Sequence, residues 1–171
     1  MKPSNFKKIH IIGSVGSGKT TLARRLSFEL NIPYYEIDNL VWKRSGNGDI
    51  RNSEDDRNEQ LRTIIQSDNW IIEGVHSEEW VEQSFQHADV IVFLDPKYSV
   101  RTKRIIKRFI LQKFGKEKAN YKPTIKIFYT MFKWNRMFED RKPSILTKLE
   151  VYSDKLIVLK EDKYKTNEVI K

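Results

Sequence analysis

Cysteine is absent from the chain, so no disulfide framework or thiolate metal site can form, and covalent catalysis by a thiol is excluded. No run approaches the ~18 consecutive apolar residues that a membrane-crossing helix needs. No charged region followed by an apolar stretch precedes the first strand, so no signal peptide is expected, and the expected location is cytoplasmic. Internal repeats and low-complexity tracts are also missing. Acidic residues are scarce in one segment only: residues 97–148 carry 16 Lys and Arg against 3 Asp and Glu, whereas 1–96 carry 11 against 15 and 149–171 carry 5 against 5. The net charge of +9 therefore belongs to one stretch, which either faces something anionic or is solvated.

What is present suits a single domain over residues 1–171, long enough to bury one sizeable core. Hydrophobic residues make up 39% and charged residues 32%, a mix that excludes disorder. Short apolar runs at Lys8–Ile12, Tyr34–Ile37, Trp70–Ile72, Val90–Leu94 and Leu156–Leu159 lack polar alternation, which predicts strands buried on both faces. Helical spacing lies between them. Leu22, Leu26 and Leu30 mark a helix over Thr20–Leu30, and Leu61, Ile64 and Ile65 mark one over Asp55–Gln66. Shorter or longer helices are predicted over Glu78–Phe85, Ser99 to about Phe114, and Thr124–Phe138. Strand and helix alternating in this rhythm predict parallel βαβ units. The stretch between Asp95 and Leu156 is too long for one crossover, and residues 96–148 read as a helical arm inserted between two strands. The polar stretches Arg44–Asp55 and Lys113–Pro123 read as loops.

The pattern G-x-x-x-x-G-K-[ST] is met by Gly13-Ser14-Val15-Gly16-Ser17-Gly18-Lys19-Thr20, with a strand leading in and an amphipathic helix leading out. Glycines let the backbone turn tightly and bring N–H groups to phosphate oxygens. The first helical turn, which includes Thr21, adds unpaired N–H groups and the positive end of the helix dipole. Lys19 supplies a charge for the β- and γ-phosphates, and the Thr20 hydroxyl can ligate Mg²⁺. The loop thus predicts ATP and Mg²⁺ as cofactors.

A second magnesium-side group is expected at the end of a neighbouring strand. Glu73 and Asp95 both qualify, with a helix cap or solvated acid as the alternative for each. Asp38 ends another strand, where it could orient a substrate hydroxyl. On the helix after Asp95, Lys97, Arg101, Arg104 and Arg108 share one face, and Arg136 and Arg141 follow further on. Arginines closing over a transferred phosphoryl group are a recurrent device, so Arg104, Arg108, Arg136 and Arg141 join Lys19 and Asp38 as catalytic candidates. A solvated face or a nucleic-acid surface is the alternative reading.

These residues taken together resemble the adenylate-kinase-like P-loop kinases, and among them the bacterial DNA topology modulation (FlaR-related) proteins. The likeness rests on Trp70-Ile71-Ile72-Glu73-Gly74-Val75-His76-Ser77, on Ile91-Val92-Phe93-Leu94-Asp95 followed by an Arg-rich helix, and on the turn Leu30–Pro33 into Tyr35–Asp38. The resemblance implies an α/β P-loop NTPase fold. This is a three-layer sandwich around a five-stranded parallel sheet of order 2-3-1-4-5, with a lid formed within 96–148. It also implies that, of Arg104 and Arg108, one stacks on adenine and the other holds phosphate, and that adenine lies near Lys160–Lys163. Val15 replaces the proline usual in nucleotide kinases. Ser77 stands where nucleotide monophosphate kinases place the arginine that grips the acceptor phosphate, which argues against AMP as acceptor.

The expected function is ATP- and Mg²⁺-dependent phosphoryl transfer to a small acceptor, of the nucleotide or nucleoside-kinase kind. The alternatives are a nucleotide-switched DNA-binding protein, suggested by the basic segment with Phe109, Tyr121, Phe128, Tyr129, Phe132 and Trp134, and an NTPase whose only acceptor is water.

Overall fold

The computed structural model of the protein describes residues 6–43, 49–116, 124–161 and 164–169. Five parallel strands form the sheet: β1 (Lys8–Gly13), β2 (Tyr34–Glu36), β3 (Trp70–Gly74), β4 (Val90–Leu94) and β5 (Leu156–Leu159). Their order is β2-β3-β1-β4-β5. The chain leaves β1 in one direction to build β2 and β3, then returns past β1 to build β4. The crevice at the carboxyl ends beside β1 is thus the place where open α/β sheets bind ligands.

Alternation along the strands separates two cores. Ile9 and Ile11 face Leu22, Ala23 and Leu26 of α1 (Lys19–Leu30), while Ile12 faces the layer that holds Leu61, Phe85 and Phe138. That second layer comprises α3 (Glu54–Gln66), α4 (Glu82–His87) and α6 (Ile125–Leu149). Ser53 caps α3 by accepting from the Asp56 amide, and three acidic residues fill its first turn, which explains why that helix starts there. His10 is the polar exception in β1. Burial lowers its pKa to about 3, so it is neutral, and it meets the Ser84 hydroxyl at 2.9 Å.

The three central strands are buried on both faces. The edge strands β2 and β5 are mostly half-buried, because helices cover them incompletely. Two elements differ from the periodicity. A four-residue helix, α2 (Asp38–Val41), follows β2 directly, and a two-residue ribbon pairs Trp42–Lys43 with Ile50–Arg51. The helix predicted to stop at Phe138 runs on to Leu149 through Pro143. Proline in a helix interior removes one hydrogen bond and crowds the preceding turn. Ile145 and Leu149 continue the buried stripe of Phe138, and their burial holds the helix together past the break. The α5 helix (Tyr98–Lys113) precedes α6 and packs beside it. Among the described residues, no helix is long and apolar enough to cross a membrane. Residues 44–48 and 117–123, within the two expected loops, lie outside the described residues, as do 162–163 of the expected adenine contact.

Candidate functional site

The segment Gly13–Thr20 links β1 to α1 at the crevice. Gly16 has φ 74, a left-handed conformation that side chains rarely adopt. A Cβ on Gly13 would stand 2.9 Å from the Leu94 carbonyl oxygen and 2.9 Å from Ser17 Oγ, so only glycine lets β4 and the loop approach this closely. Gly18 is the N-cap of α1, and no side chain caps that helix start. Ser17 Oγ is buried with no hydrogen-bond partner among the described residues. The uncapped helix start, the orphaned hydroxyl and the tight glycine turn suit a cradle for phosphate oxygens.

Three side chains converge at its mouth. Lys19 Nζ donates to the Ser14 carbonyl at 3.1 Å and stands 3.9 Å from Glu73 Oε2. The Thr20 hydroxyl donates to Glu73 Oε1 at 2.5 Å. Glu73 ends the buried strand β3, and burial pushes its carboxyl above the usual range, while Lys19 and the Thr20 hydrogen bond pull it back. A cation arriving beside it would favour the ionised form.

Asp95, the other strand-end candidate, is engaged elsewhere: Lys142 Nζ of α6 donates to its two oxygens at 3.1 and 3.4 Å. Lys142 also stands 3.7 Å from Glu139, which in turn accepts from Arg101. Arg101 is fully buried among the rings of Tyr98 and Phe138. Of the four basic residues expected on one helix face, Lys97 is the exposed N-cap of α5, Arg101 is buried, and Arg104 and Arg108 are half-buried. Arg104 Nη1 donates to the carbonyls of Gly16 at 3.3 Å and Ser17 at 2.6 Å, which clamps α5 to the loop. Arg108 reaches Met131 Sδ at 3.5 Å. Thr21 is exposed on α1, and Arg136 is exposed on α6. Arg141 points away from the glycine turn to the loop after β3, where its Nη2 donates to Glu78 Oε1 at 3.2 Å.

Asp38 opens α2 at the carboxyl end of β2. Its Oδ1 is 3.7 Å from His76 Nε2, and His76 Nδ1 meets Glu78 Oε2 at 3.0 Å. Burial works against the imidazolium, but the carboxylates of Asp38 and Glu78 beside it outweigh this and raise the His76 pKa to about 9. The hydrogen bond to His76 is the main reason Glu78 falls to about 2.

The sequence pattern carries no sign of Asn135. It is fully buried, accepts from Ser14 Oγ at 3.3 Å and donates to Thr102 Oγ1 at 3.3 Å, so α6 is tied to both the loop and α5. Ser14 is 121 positions away, and no local signal could reveal the contact. Of the interleaved aromatics, Phe109 stacks on Phe128 with centroids 4.3 Å apart, and Phe128 meets Phe132 edge-on at 4.8 Å, so these rings join α5 to α6. Tyr129 and Trp134 are exposed, and Tyr121 lies outside the described residues.

A family model described as an AAA domain matches residues 9–113, from β1 through α5. The shikimate kinase of Aquifex aeolicus (strain VF5) is 49% identical over 39 residues, which is 23% of this chain and 23% of that protein. The chain thus aligns with under a quarter of the length of the curated relatives it matches. Among solved structures, shikimate kinase from Acinetobacter baumannii in complex with shikimate superposes with a TM-score of 0.58 at 16% identity, covering 95% of this chain and 87% of that one. Shikimate kinase from Bacteroides thetaiotaomicron gives 0.54 at 18% identity, covering 94% and 89%. At such identities the superpositions establish the fold alone. The sequence matches correct the resemblance drawn from the strand-end motifs: the similarity found is to shikimate kinases, and not to adenylate-kinase-like DNA topology modulation proteins. The run Ile91-Val92-Phe93-Leu94-Asp95 follows from a buried strand ending in a carboxylate at the ligand edge, so it marks a place in the sheet and does not single out a family.

Proposed function

The chain belongs to the AAA domain family, and from that premise we propose that it is a phosphotransferase that moves the terminal phosphoryl group of ATP to a hydroxyl of a small acceptor. The observation that carries the reading is the convergence of Lys19, Thr20 and Glu73 at the mouth of the glycine turn. The loop amides and Lys19 hold the phosphates. Thr20 and Glu73 are the groups for magnesium, supported by their 2.5 Å contact, whereas the Lys142 pair engages Asp95. Among the described residues, no group of three or more His, Asp or Glu could hold a metal ion. Magnesium, when bound, would neutralise charge that builds on the phosphates during transfer.

Arg104, already on the loop carbonyls, fixes α5 against the cradle. Asp38 orients the acceptor hydroxyl from the far side of the crevice. The arm within 96–148 acts as a lid only in its outer part, because Phe138 and Ile145 are core residues. Catalysis rests on position and charge, with no covalent step by the protein.

The test has two arms. The first measures binding of an ATP analogue with magnesium to wild type and Lys19→Ala, where loss of affinity is expected. Equal binding would refute the loop assignment. The second measures ADP formation with shikimate, nucleosides, nucleotides and small alcohols against a control without acceptor. Shikimate leads the panel because the relatives and fold neighbours above are named for it. Equal ADP formation with and without every acceptor would reduce the activity to NTP hydrolysis.

A further inference from the structure

Asp38 presents a difficulty for its role. Its side chain is 61% exposed and sits on a helix of only four residues. An exposed carboxylate samples several rotamers and cannot by itself hold one hydroxyl in line for transfer. We propose that His76 is the positioning residue for Asp38, the end of a charged relay Arg141–Glu78–His76–Asp38 that ties the acceptor-side carboxylate to the core helix α6. This rests on the reading of Asp38 as the acceptor-side group.

Each link is present. Arg141 Nη2 donates to Glu78 Oε1 at 3.2 Å, Glu78 Oε2 meets His76 Nδ1 at 3.0 Å, and His76 Nε2 stands 3.7 Å from Asp38 Oδ1. The loop between them is pinned twice more. The Ser77 amide donates to Glu78 Oε2 at 3.1 Å, and Lys148 Nζ of α6 donates to the Ser77 carbonyl at 3.3 Å. The imidazole meets the edge of Trp80 at 5.4 Å, and Arg57 of α3 lies over that indole at 4.1 Å. The far end is carried on a packed helix backbone, since Ile145 and Leu149, one and two turns beyond Arg141, are buried, while the Arg141 side chain is 53% exposed and is held by Glu78. The relay alternates in sign, so it holds only while the imidazole is charged. With its pKa raised to about 9 and that of Glu78 lowered to about 2, His76 and Glu78 are both ionised at neutral pH.

The experiment uses the full chain as wild type, His76→Gln and His76→Lys, and reads amide exchange of Leu40 and Val41, whose N–H groups bond to the Ile37 carbonyl inside α2. Protection is expected to fall about tenfold in His76→Gln at pH 7 and to be restored in His76→Lys. In wild type it is expected to fall between pH 8 and 9.5, after correction for intrinsic exchange, while His76→Lys stays level. Unchanged protection in His76→Gln, or a wild-type profile that His76→Lys reproduces, overturns the inference. In parallel, turnover of shikimate with magnesium and ATP is expected to show a higher KM for shikimate in His76→Gln with the KM for ATP unaltered. A wild-type enzyme that leaves shikimate untouched counts against shikimate as acceptor, and the exchange data still decide the relay.

Discussion

Replacing Gly16 by alanine tests the link between the phosphate cradle and α5 most directly. Two costs add at this position. The backbone stands at φ 74, where a Cβ is disfavoured by about 1 kcal/mol. The new Cβ would also lie 2.8 Å from the Arg101 carbonyl oxygen and 3.2 Å from Ile105 Cγ1. The first of these is helix backbone and cannot rotate away, so α5 must retreat from the loop, at about 1–3 kcal/mol. The sum is about 2–4 kcal/mol, which in a chain of this size lowers Tm by roughly 5–15 °C. A retreating α5 also loosens the Arg104 contacts to the Gly16 and Ser17 carbonyls, so affinity for an ATP analogue is expected to fall about tenfold or more. Gly115→Ala is the matched control. Its φ is 69, but among the described residues a Cβ there meets nothing within 4 Å, so the backbone cost of about 1 kcal/mol is the expected effect. The assays are thermal unfolding by circular dichroism and titration with a fluorescent ATP analogue and magnesium. If Gly16→Ala melts with Gly115→Ala and binds nucleotide as wild type does, the argued contact between α5 and the cradle is wrong.

Further expectations concern single groups. Burial raises the Glu73 pKa above its unfolded value, so its ionisation destabilises the fold as pH rises past the ordinary carboxyl range. Glu73→Gln is therefore expected to melt no lower than wild type at pH 7 while losing magnesium-dependent ADP formation; a lower Tm with retained turnover contradicts this. Phe138→Ala removes a buried ring stacked 6.1 Å from Phe93 and is expected to cost about 3–5 kcal/mol in a denaturant titration. A cost below 1 kcal/mol would mean α6 is not part of the core. His76, raised to about 9, contributes stability that is complete below pH 6.5 and lost as pH rises through 9. Glu78, lowered to about 2, contributes stability that is present above pH 4.5 and lost as pH falls through 2. Both record largely one interaction, partly screened by solvent, of roughly 1–2 kcal/mol. Denaturation midpoints in His76→Gln should lack the alkaline limb seen in wild type.

The sheet and the phosphate loop were legible because their causes are local. Buried strands read as apolar runs, and the loop needs glycines, a lysine and a threonine at fixed spacing between a strand and a helix. Glu73 and Asp95 were locatable by the same logic, since a charged residue ending an apolar run falls at the ligand-binding edge. What distinguishes them was not, because it depends on Thr20 facing one and Lys142, 47 positions away, facing the other. The arm was legible as helix but not as architecture. Its basic face holds one arginine that is fully buried, and the core burial of its last turns overrides a proline that ordinarily signals a stop. The relay at His76 joins three elements and leaves no trace in periodicity.

Pro143 has a mechanical corollary. Having no N–H, it leaves the Glu139 carbonyl without its usual helical donor, one turn upstream in a helix of 25 residues. Below that gap the rod is embedded; above it, Asn135 grips Ser14. Displacement of the outer turns must therefore either flex the rod where a bond is missing or tug on the nucleotide loop, with the side chains of Glu139 and Lys142 straddling the pivot.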